Sequence, residues 1–409
     1  MVRKLKHTEI GDIPVDWELQ TFDETFRVIS NNTLSRENLN NRGGAVRNIH
    51  YGDILTKFPE VLDCSEDEIP FVNDLSLLSS STQLLQDGDI VVADTAEDET
   101  VGKVIEVQNL GDSKLVAGLH TIPCRVKKGD FAPGWLGYYM NSDLFHNQIL
   151  PYITGIKVSS ISKGAISETL ILVPPFDEQE KIVQSLNKIQ LLMTAETKVV
   201  NKIKLVKNGC LSKMFPQKDD TVPEIRLPGF TEAWEQRKVS ELCSISTGKS
   251  NTQDKVEDGM YPFYVRSPIV ERSTKYLYDE EAVITVGDGV GTGKVFHYVN
   301  GKYDLHQRCY RMYDFTNELN AHYFYHTFSK LFYKRVMAMT AKTSVDSVRL
   351  EMISDMKIPC PNIKEQEKIG AYFDNLDNLI TLHQRKCDKY SSIKKGMMSD
   401  LLTGKIRLV

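Results

Sequence analysis

The sequence predicts an α+β protein: two pseudo-repeated mixed α/β domains separated by two long helices, which pack as an antiparallel intramolecular coiled coil. Three observations predict this architecture. The chain has 409 residues, enough for roughly two to three domains of ordinary size. Part of it repeats when the sequence is shifted by 187 residues. Each copy also carries a long apolar run with heptad spacing.

The repeat is clearest around a charged motif. Glu178-Gln179-Glu180-Lys181-Ile182 falls on Glu365-Gln366-Glu367-Lys368-Ile369 without a gap. Farther upstream the offset drifts, and Trp17-Glu18 matches Trp234-Glu235 at an offset of 217. The two copies therefore share a constant second part and a variable first part.

The constant part predicts a long helix in each copy, because apolar residues recur at alternating steps of four and three. From Ile182 to Met214 such a helix rises about 48 Å at 1.5 Å per residue. We define the predicted seam as the apolar positions of the two stripes: Ile182, Leu186, Ile189, Met193, Val200, Ile203, Ile369, Phe373, Leu376, Ile380, Cys387 and Tyr390.

These patterns give the predicted domain boundaries. Short strand-like and helix-like runs fill both variable parts, and prolines and charges mark the linker between the copies. The predicted segments are a first domain at 1–175, a first helix at 176–215, a linker at 216–227, a second domain at 228–362, a second helix at 363–403 and a tail at 404–409. The linker residues Glu224-Ile225-Arg226-Leu227 resemble the tail residues Lys405-Ile406-Arg407-Leu408, which predicts equivalent places for the two segments.

The partner of each heptad helix is not fixed by its sequence, since heptads alone also suit a parallel dimer between two chains. The internal repeat favours an antiparallel pair within one chain. Glu196 and His383 then lie near the helix midpoints, where they either face each other as a polar pair that sets the register or point to solvent.

Composition is that of a globular protein, with 41% hydrophobic and 26% charged residues. No run approaches 18 consecutive apolar residues and no apolar segment follows the basic N-terminus, so we expect neither a membrane span nor a secretory signal. The seven cysteines are scattered without a CxxC pair, which favours a reducing cytoplasmic location.

The net charge of −5 is distributed unevenly. Residues 1–176 carry −10, 177–215 carry +3, 216–362 carry −1 and 363–409 carry +3. Affinity for nucleic acid therefore requires local basic patches or a partner that supplies positive charge.

Catalytic motifs are incomplete in this chain. Gly287–Val295 resembles a phosphate-binding loop, but Asp288 stands where glycine is needed and Val295 where the loop needs Ser or Thr. Val173-Pro174-Pro175-Phe176 resembles the [DN]PP[YF] motif of methyltransferases that act on amino groups, but Val173 replaces the acid or amide that holds the target amino group. His322 and His326 form an HxxxH pair without the glutamate of HExxH, which favours a packed helix face. The sequence thus predicts no catalytic or metal-binding residues.

Two loops in each copy suggest contact with DNA. The first is a turn in which Gly102-Lys103-Val104 matches Gly293-Lys294-Val295 at an offset of 191. A lysine beside a glycine suits a phosphate, although an ordinary hairpin explains the pattern equally well.

The strand that follows this first loop adds further candidates. Leu119-His120 matches Leu305-His306, and in the second copy Gln307, Arg308 and Arg311 come next. These side chains are able to read bases, glutamine to adenine and arginine to guanine.

The second loop is the turn before each long helix. It carries Lys157 in the first copy and Lys342 in the second, and an ordinary solvated turn is at least as plausible. The DNA-binding candidates are therefore Lys103, His120, Lys157, Lys294, His306, Gln307, Arg308 and Lys342.

The whole pattern resembles the specificity subunit of type I restriction–modification enzymes. The resemblance rests on Pro174–Ile182, on Pro359–Ile369 and on Leu401–Arg407, which reads Leu-Leu-Thr-Gly-Lys-Ile-Arg. It implies that each variable part is a target recognition domain reading one half of a bipartite, asymmetric site on double-stranded DNA. It also implies that the coiled coil sets the gap between the halves.

The resemblance further implies a non-catalytic chain with partners. Two modification subunits would bind S-adenosylmethionine and methylate adenine, and two restriction subunits would use ATP and Mg²⁺. No cofactor is expected on this chain. Two alternatives are a coiled-coil interaction scaffold without DNA binding and an enzyme with its own methyl-transfer site.

Overall fold

The computed structural model describes residues 4–155, 157–216, 220–289, 291–339 and 347–408. The chain divides into two compact units. Unit 1 comprises Met1–Ala195 and Cys387–Val409, and unit 2 comprises Glu196–Lys386. Each unit therefore contains one globular domain together with one segment of each long helix.

Unit 1 contains short strands and helices ahead of the first long helix. Its strands are β1 (Leu5–Thr8), β2 (Gly11–Pro14), β3 (Glu18–Thr21), β4 (Phe26–Val28), β5 (Leu39–Asn40), β6 (Val46–Ile49), β7 (Val61–Asp63), β8 (Phe71–Val72), β9 (Ile90–Ala93), β10 (Thr95–Ala96), β11 (Val104–Gln108), β12 (Lys114–Ala117), β13 (Thr121–Val126), β14 (Ser159–Ser160) and β15 (Leu170–Val173). Its helices are α1 (Phe22–Thr25), α2 (Tyr51–Thr56), α3 (Trp135–Tyr139), α4 (Asp143–Ile149), α5 (Lys163–Ser167) and the start of α6 (Phe176–Lys213).

The main sheet of unit 1 has five strands in the order β4-β13-β9-β11-β7, and a second sheet has the order β12-β6-β8-β5. All four residues of β9 are buried, as expected for a run of Ile, Val and Ala inside a sheet. The core includes Trp17 and Trp135 from the domain and Leu401 and Leu402 from the end of the second long helix and the turn after it.

Unit 2 continues with α7 (Val239–Leu242), α8 (Ala321–Met339), α9 (Leu350–Ser354) and the first part of α10 (Ile363–Leu401). Its strands are β16 (Glu235–Lys238), β17 (Ser244–Thr247), β18 (Tyr261–Tyr264), β19 (Val270–Ser273), β20 (Tyr278–Val286), β21 (Phe296–Leu305), β22 (Cys309–Tyr313) and β23 (Lys357–Cys360). Six of them form one sheet in the order β17-β22-β20-β21-β18-β19, against which α8 packs.

The long helices α6 and α10 have 38 and 39 residues, so each is about 57–59 Å long. Pro174-Pro175 and Pro361 precede them. Acidic residues occupy both first turns, where their negative charge interacts favourably with the helix dipole and stabilises the helix. Every position of the predicted seam is buried or half-buried. Among the described residues no helix is both long and apolar enough to cross a membrane.

The two long helices run antiparallel within unit 2. Glu196 of α6 contacts His383 of α10, Lys207 lies 2.5 Å from Asp377, and the Cys210 sulfur lies 3.3 Å from the Tyr372 hydroxyl. Residue numbers rise along α6 while those of the partners fall, which confirms the predicted direction. The direct contact between Glu196 and His383 confirms that these residues face each other.

In both units the glutamate of the repeated motif holds an arginine from a segment distant in sequence. Glu178 accepts two hydrogen bonds from Arg407 (2.6 and 2.7 Å), and Glu365 accepts two from Arg226 (2.8 and 2.7 Å). This confirms that the tail and the linker occupy equivalent places. Arg407 also binds Asp16 (2.7 Å), which fixes the tail to the first residues of the domain.

The neighbouring glutamines anchor each helix to its own domain. The side chain of Gln179 accepts from the Ala132 N–H (3.0 Å) and donates to the Pro174 carbonyl (2.8 Å). Gln366 does the same with the Asn320 N–H (3.0 Å) and the Pro361 carbonyl (2.8 Å). The Glu-Gln pair of the motif therefore has a structural explanation in both copies.

Candidate nucleic-acid interface

The strand ladders give a better alignment of the two domains than the sequence does. In unit 1 Thr121 pairs with Ala93, and in unit 2 Cys309 pairs with Val286. The residue that precedes Thr121 is His120, and the residue that precedes Cys309 is Arg308. Both carbonyls accept a hydrogen bond at the end of the central strand, from the Asp94 N–H (3.2 Å) and the Gly287 N–H (2.8 Å) respectively.

This register corrects the sequence alignment, in which His120 matched His306. The true equivalent of His120 is Arg308, at an offset of 188 residues. The error arose because the sequence offers a Leu-His match two residues away and strand pairing is not visible in it. The ladders also make Thr95, rather than Asp94, the equivalent of Asp288.

In unit 2 two arginines share one carboxylate at this strand end. Arg266 Nη1 lies 3.4 Å from Asp288 Oδ1, and Arg308 Nε lies 3.7 Å from Asp288 Oδ2. The Arg308 side chain is 65% exposed and that of Arg266 is 46% exposed. The cluster therefore presents positive charge and hydrogen-bond donors to solvent.

Amide side chains lie beside these arginines. Gln307 is exposed, and its Nε2 donates to the Asn251 side-chain oxygen (2.5 Å). An open groove joins the amides to the arginines; its lining residues are Asn251, Thr252, Gln253, Arg266, His306, Gln307 and Arg308. We call these seven residues and Asp288 the arginine cluster. Its donors and acceptors are those that read base edges and phosphates.

His306 is buried rather than available to a base. Its Nδ1 accepts the hydrogen bond from the Arg308 N–H (3.0 Å). Burial, and secondarily the charge of Arg266, hold the pKa of His306 below its ordinary value, so the ring remains a neutral acceptor. His306 thus fixes the turn from which Gln307 and Arg308 project.

Arg311 was predicted to read bases, and this is wrong. Its guanidinium lies between the rings of Tyr278 (3.9 Å) and Tyr313 (3.7 Å) and pairs with Glu280. Successive side chains of a strand point to opposite faces of the sheet, and Arg311 of β22 lies on the face that packs against the two tyrosines. The sequence alone does not show which face of β22 is packed. Arg311 belongs to the packing of unit 2.

The matched Gly-Lys turns are not equivalent either. Val104 pairs with Val92 and Phe296 pairs with Thr285, so the ladders align Lys103 with Val295 and not with Lys294. Lys103 Nζ donates to the Leu55 and Phe58 carbonyls (both 3.3 Å), and burial lowers its pKa. The protein itself holds Lys103, which disfavours the predicted phosphate contact.

Lys294 is exposed but packs along a helix. Its ammonium lies 4.9 Å from the centre of the Tyr333 ring on α8. Lys157 is exposed in the turn before β14, and Lys342 lies outside the described residues. Contact of these lysines with DNA stays a prediction.

The corresponding edge of unit 1 is built differently. His120 Nδ1 lies 3.3 Å from the Thr95 hydroxyl and 3.5 Å from Asp94. The His120 ring packs edge-on to Tyr51 (5.3 Å between ring centres), and Tyr51 stacks on His50 (4.7 Å). This edge therefore offers aromatic surface where unit 2 offers two arginines.

The residues that follow the turn before each long helix reach the same edge. Ser160 pairs with Thr95 in unit 1, and Ser347, its image at 187 residues, pairs with Asp288 in unit 2. In unit 1 the turn that carries Lys157 therefore adjoins the strand end that carries Thr95, whereas residues 340–346 of the corresponding turn in unit 2 lie outside the described residues. The sequence analysis did not identify Arg266, Asn251 and Gln253 as candidates. In the sequence they are simply polar or basic residues beside turns, which is a weak signal.

The HxxxH pair of the sequence lies at a contact between two helices. His322 and His326 are tied to Asp374 (2.6 and 2.8 Å) on the face where α8 meets α10. No group of His, Cys, Asp and Glu in the described part of the chain is placed to hold a metal ion.

Comparisons with known proteins agree with this architecture. The family model described as Type I restriction modification DNA specificity domain matches residues 14–205 and 231–389. The putative type I restriction enzyme MjaX specificity subunit of Methanocaldococcus jannaschii is 23% identical over 98% of this chain and 96% of that protein. The type I restriction enzyme EcoDI specificity subunit of Escherichia coli is 23% identical over 42% of this chain and 37% of that protein.

A solved structure shares the fold. The crystal structure of the S subunit of a type I restriction–modification system from M. genitalium aligns with a TM-score of 0.66 at 14% identity. The alignment covers 98% of this chain and 99% of that one.

Proposed function

Because the chain belongs to the family of type I restriction–modification DNA specificity domains, we propose that it selects the DNA sequence for a type I restriction–modification complex. The domain of each unit reads one half of a bipartite, asymmetric site. The chain itself carries out no chemistry.

One observation carries this proposal. The two domains place different side chains at one equivalent strand end, with His120, Tyr51 and Thr95 in unit 1 and the arginine cluster in unit 2. A shared backbone frame with different polar side chains is what two recognition sites for different sequences require. A scaffold without DNA binding does not require this variation at a single edge.

The long helices are proposed to set the gap between the two half-sites and to hold the modification subunits. A helix of about 57 Å exceeds one DNA turn of roughly 34–36 Å. Large apolar side chains are exposed at heptad spacing on α6, where Leu192, Val199 and Val206 are 43%, 38% and 44% exposed. On α10, Leu379 and Ile393 are 42% and 37% exposed. Such residues suit helices of a partner protein.

Partners also supply what this chain lacks. We assign S-adenosylmethionine to two modification subunits, and ATP and Mg²⁺ to two restriction subunits. The charge of −10 over residues 1–176 is unfavourable for DNA binding, so positive charge from a modification subunit is needed beside unit 1.

The test is to express the chain with its cognate modification subunit in a host that lacks the system, and to map methylated adenines by single-molecule sequencing. A gapped, two-part motif that appears only with this chain is the expected result. A soluble complex with S-adenosylmethionine bound but without new methylation or sequence-selective DNA binding would favour the scaffold alternative.

A further inference from the structure

We propose that Arg308 reads the guanine of a G·C pair in the half-site bound by unit 2, and that Asp288 orients its guanidinium for that base. The assignment rests on the proposed function and adds to it a residue, a base and the reason for the choice.

The backbone of Arg308 is fixed on both sides. Its N–H donates to His306 Nδ1 (3.0 Å) and its carbonyl accepts from the Gly287 N–H (2.8 Å). The Cys309 N–H closes the turn on the His306 carbonyl (2.9 Å). The side chain of Arg308 therefore projects from a rigid point, as precise recognition of a base requires.

Asp288 restricts the side chain further. Its carboxylate lies 3.7 Å from Arg308 Nε, and its second oxygen lies 3.4 Å from Arg266 Nη1. Exposed ion pairs of this kind add little stability. They do limit the rotation of Arg308, so less entropy is lost when the side chain binds. The two terminal nitrogens of Arg308 remain as the recognition fork.

A G·C pair fits this arrangement better than a phosphate does. Two parallel N–H groups of arginine match the O6 and N7 acceptors of guanine, and a carboxylate beside them accepts from the N4 amino group of the paired cytosine. Asp288 offsets part of the positive charge of Arg266 and Arg308 and so weakens their attraction for a phosphate, whereas the base edge carries no net charge. Gln307 and Asn251 adjoin the fork and suit a neighbouring base.

The equivalent position in unit 1 supports this reading. His120 occupies the same place in the ladder and lies near Thr95 and Asp94, but imidazole has no two-donor fork. Unit 1 therefore cannot recognise guanine in this way from this position. The asymmetry of the DNA site then arises, in part, from a single pair of equivalent residues.

The experiment uses the complex of the full chain with its modification subunits and S-adenosylmethionine. Binding is measured to duplexes that carry each single base-pair change in the methylated motif. Three variants are compared with the wild type: Arg308→Lys, which keeps the charge but loses the fork, Asp288→Asn, and Arg237→Ala. The last is the matched control, because Arg237 also pairs with carboxylates, Glu241 and Glu318, but lies on β16.

We expect R308K to lower discrimination at one G·C position of one half-site by about tenfold or more, with the other half and the salt dependence unchanged. D288N should lower discrimination at the same position by less. R237A should change neither. Unchanged discrimination in R308K, or a uniform loss of affinity for every duplex, would overturn the assignment. A wild-type complex without any sequence preference would instead refute the proposed function.

Discussion

In unit 1 the buried carboxylate of Glu178 accepts hydrogen bonds from the Arg407 guanidinium, from Trp17 Nε1 (2.9 Å) and from the Leu408 N–H (3.2 Å). In unit 2 the equivalent Glu365 accepts two from Arg226. Trp234, the image of Trp17, is buried, and its Nε1 has no hydrogen-bond partner among the described residues. The repeat therefore preserves the arginine–glutamate anchor but not the network around it.

The comparison shows how much unit 1 depends on residues distant in sequence. Its core contains Leu401 and Leu402, and its anchor contains Arg407, whereas Met214 and Phe215 occupy the matching core positions of unit 2. The hydrophobic core of unit 1 is therefore complete only when the end of α10 and the segment after it pack on the first domain. Unit 2 is continuous in sequence.

Removal of the anchoring glutamates should give the largest effects. Glu178→Ala leaves the Trp17 N–H without an acceptor and leaves Arg407 with Asp16 as its remaining carboxylate, so we expect the free energy of unfolding of unit 1 to fall by about 3 kcal/mol. Glu365→Ala should destabilise unit 2 by a similar amount, because it removes both hydrogen bonds that Arg226 makes to a carboxylate, although no indole N–H loses an acceptor there. Hydrogen exchange measured peptide by peptide on the full chain checks both values.

The control for this pair is Glu180→Ala. Glu180 is exposed and lies on the same helix turn as Glu178, so its loss should leave exchange unchanged. If E178A loosened both units equally, the anchor would act on the whole chain rather than on unit 1.

The tryptophans should give a smaller effect that tests the difference directly. Trp17→Phe and Trp234→Phe remove similar apolar area from two cores in which the side chains are 0% and 2% exposed. Only the first substitution breaks a hydrogen bond to a carboxylate. We expect W17F to be more destabilising than W234F by about 1–2 kcal/mol. Denaturant unfolding, with hydrogen exchange to assign each transition, measures the difference, and equal losses would contradict the assigned role of the Trp17 N–H.

The repeat made much of the fold predictable. The heptad positions are buried or half-buried, and the contact between Glu196 and His383 follows from the symmetry of two copies. The candidate site was less predictable, because it depends on strand register. A shift of two residues separated His120 from its true equivalent, and the alternation of faces along β22 turned Arg311 inward.

Asp288 shows the same limit in another way. In sequence it appeared as a defect of a phosphate-binding loop, but in three dimensions it holds Arg266 and Arg308 together. Arg266 lies 42 residues from Arg308 and has no motif around it. Side chains that meet only through sheet pairing leave no local signal, whereas the helix periodicity is local and was visible.

The smallest expected effect concerns the contact between the two long helices in unit 2. Glu196 and His383 are 187 residues apart, so each is the image of the other in the repeat. The hydrogen bond to His383, with a contribution from Lys386, holds the pKa of Glu196 below its ordinary value of 4.5. A carboxyl whose pKa is lowered by folding stabilises the folded state above its unfolded pKa, and this contribution is lost as the pH falls through the folded pKa.

We therefore expect hydrogen-exchange protection around Glu196 and His383 to decrease as the pH falls below 4.5, more steeply in the wild type than in Glu196→Gln. Glu367→Gln is the matched control, because Glu367 is an exposed acid on α10 outside the contact. The pKa of the Glu196 carboxyl, measured by NMR titration, should lie below 4.5 and return toward that value in His383→Ala. A value at or above 4.5 in the wild type would show that the pair does not hold the two helices in register in solution, and their register would then depend on the apolar positions alone.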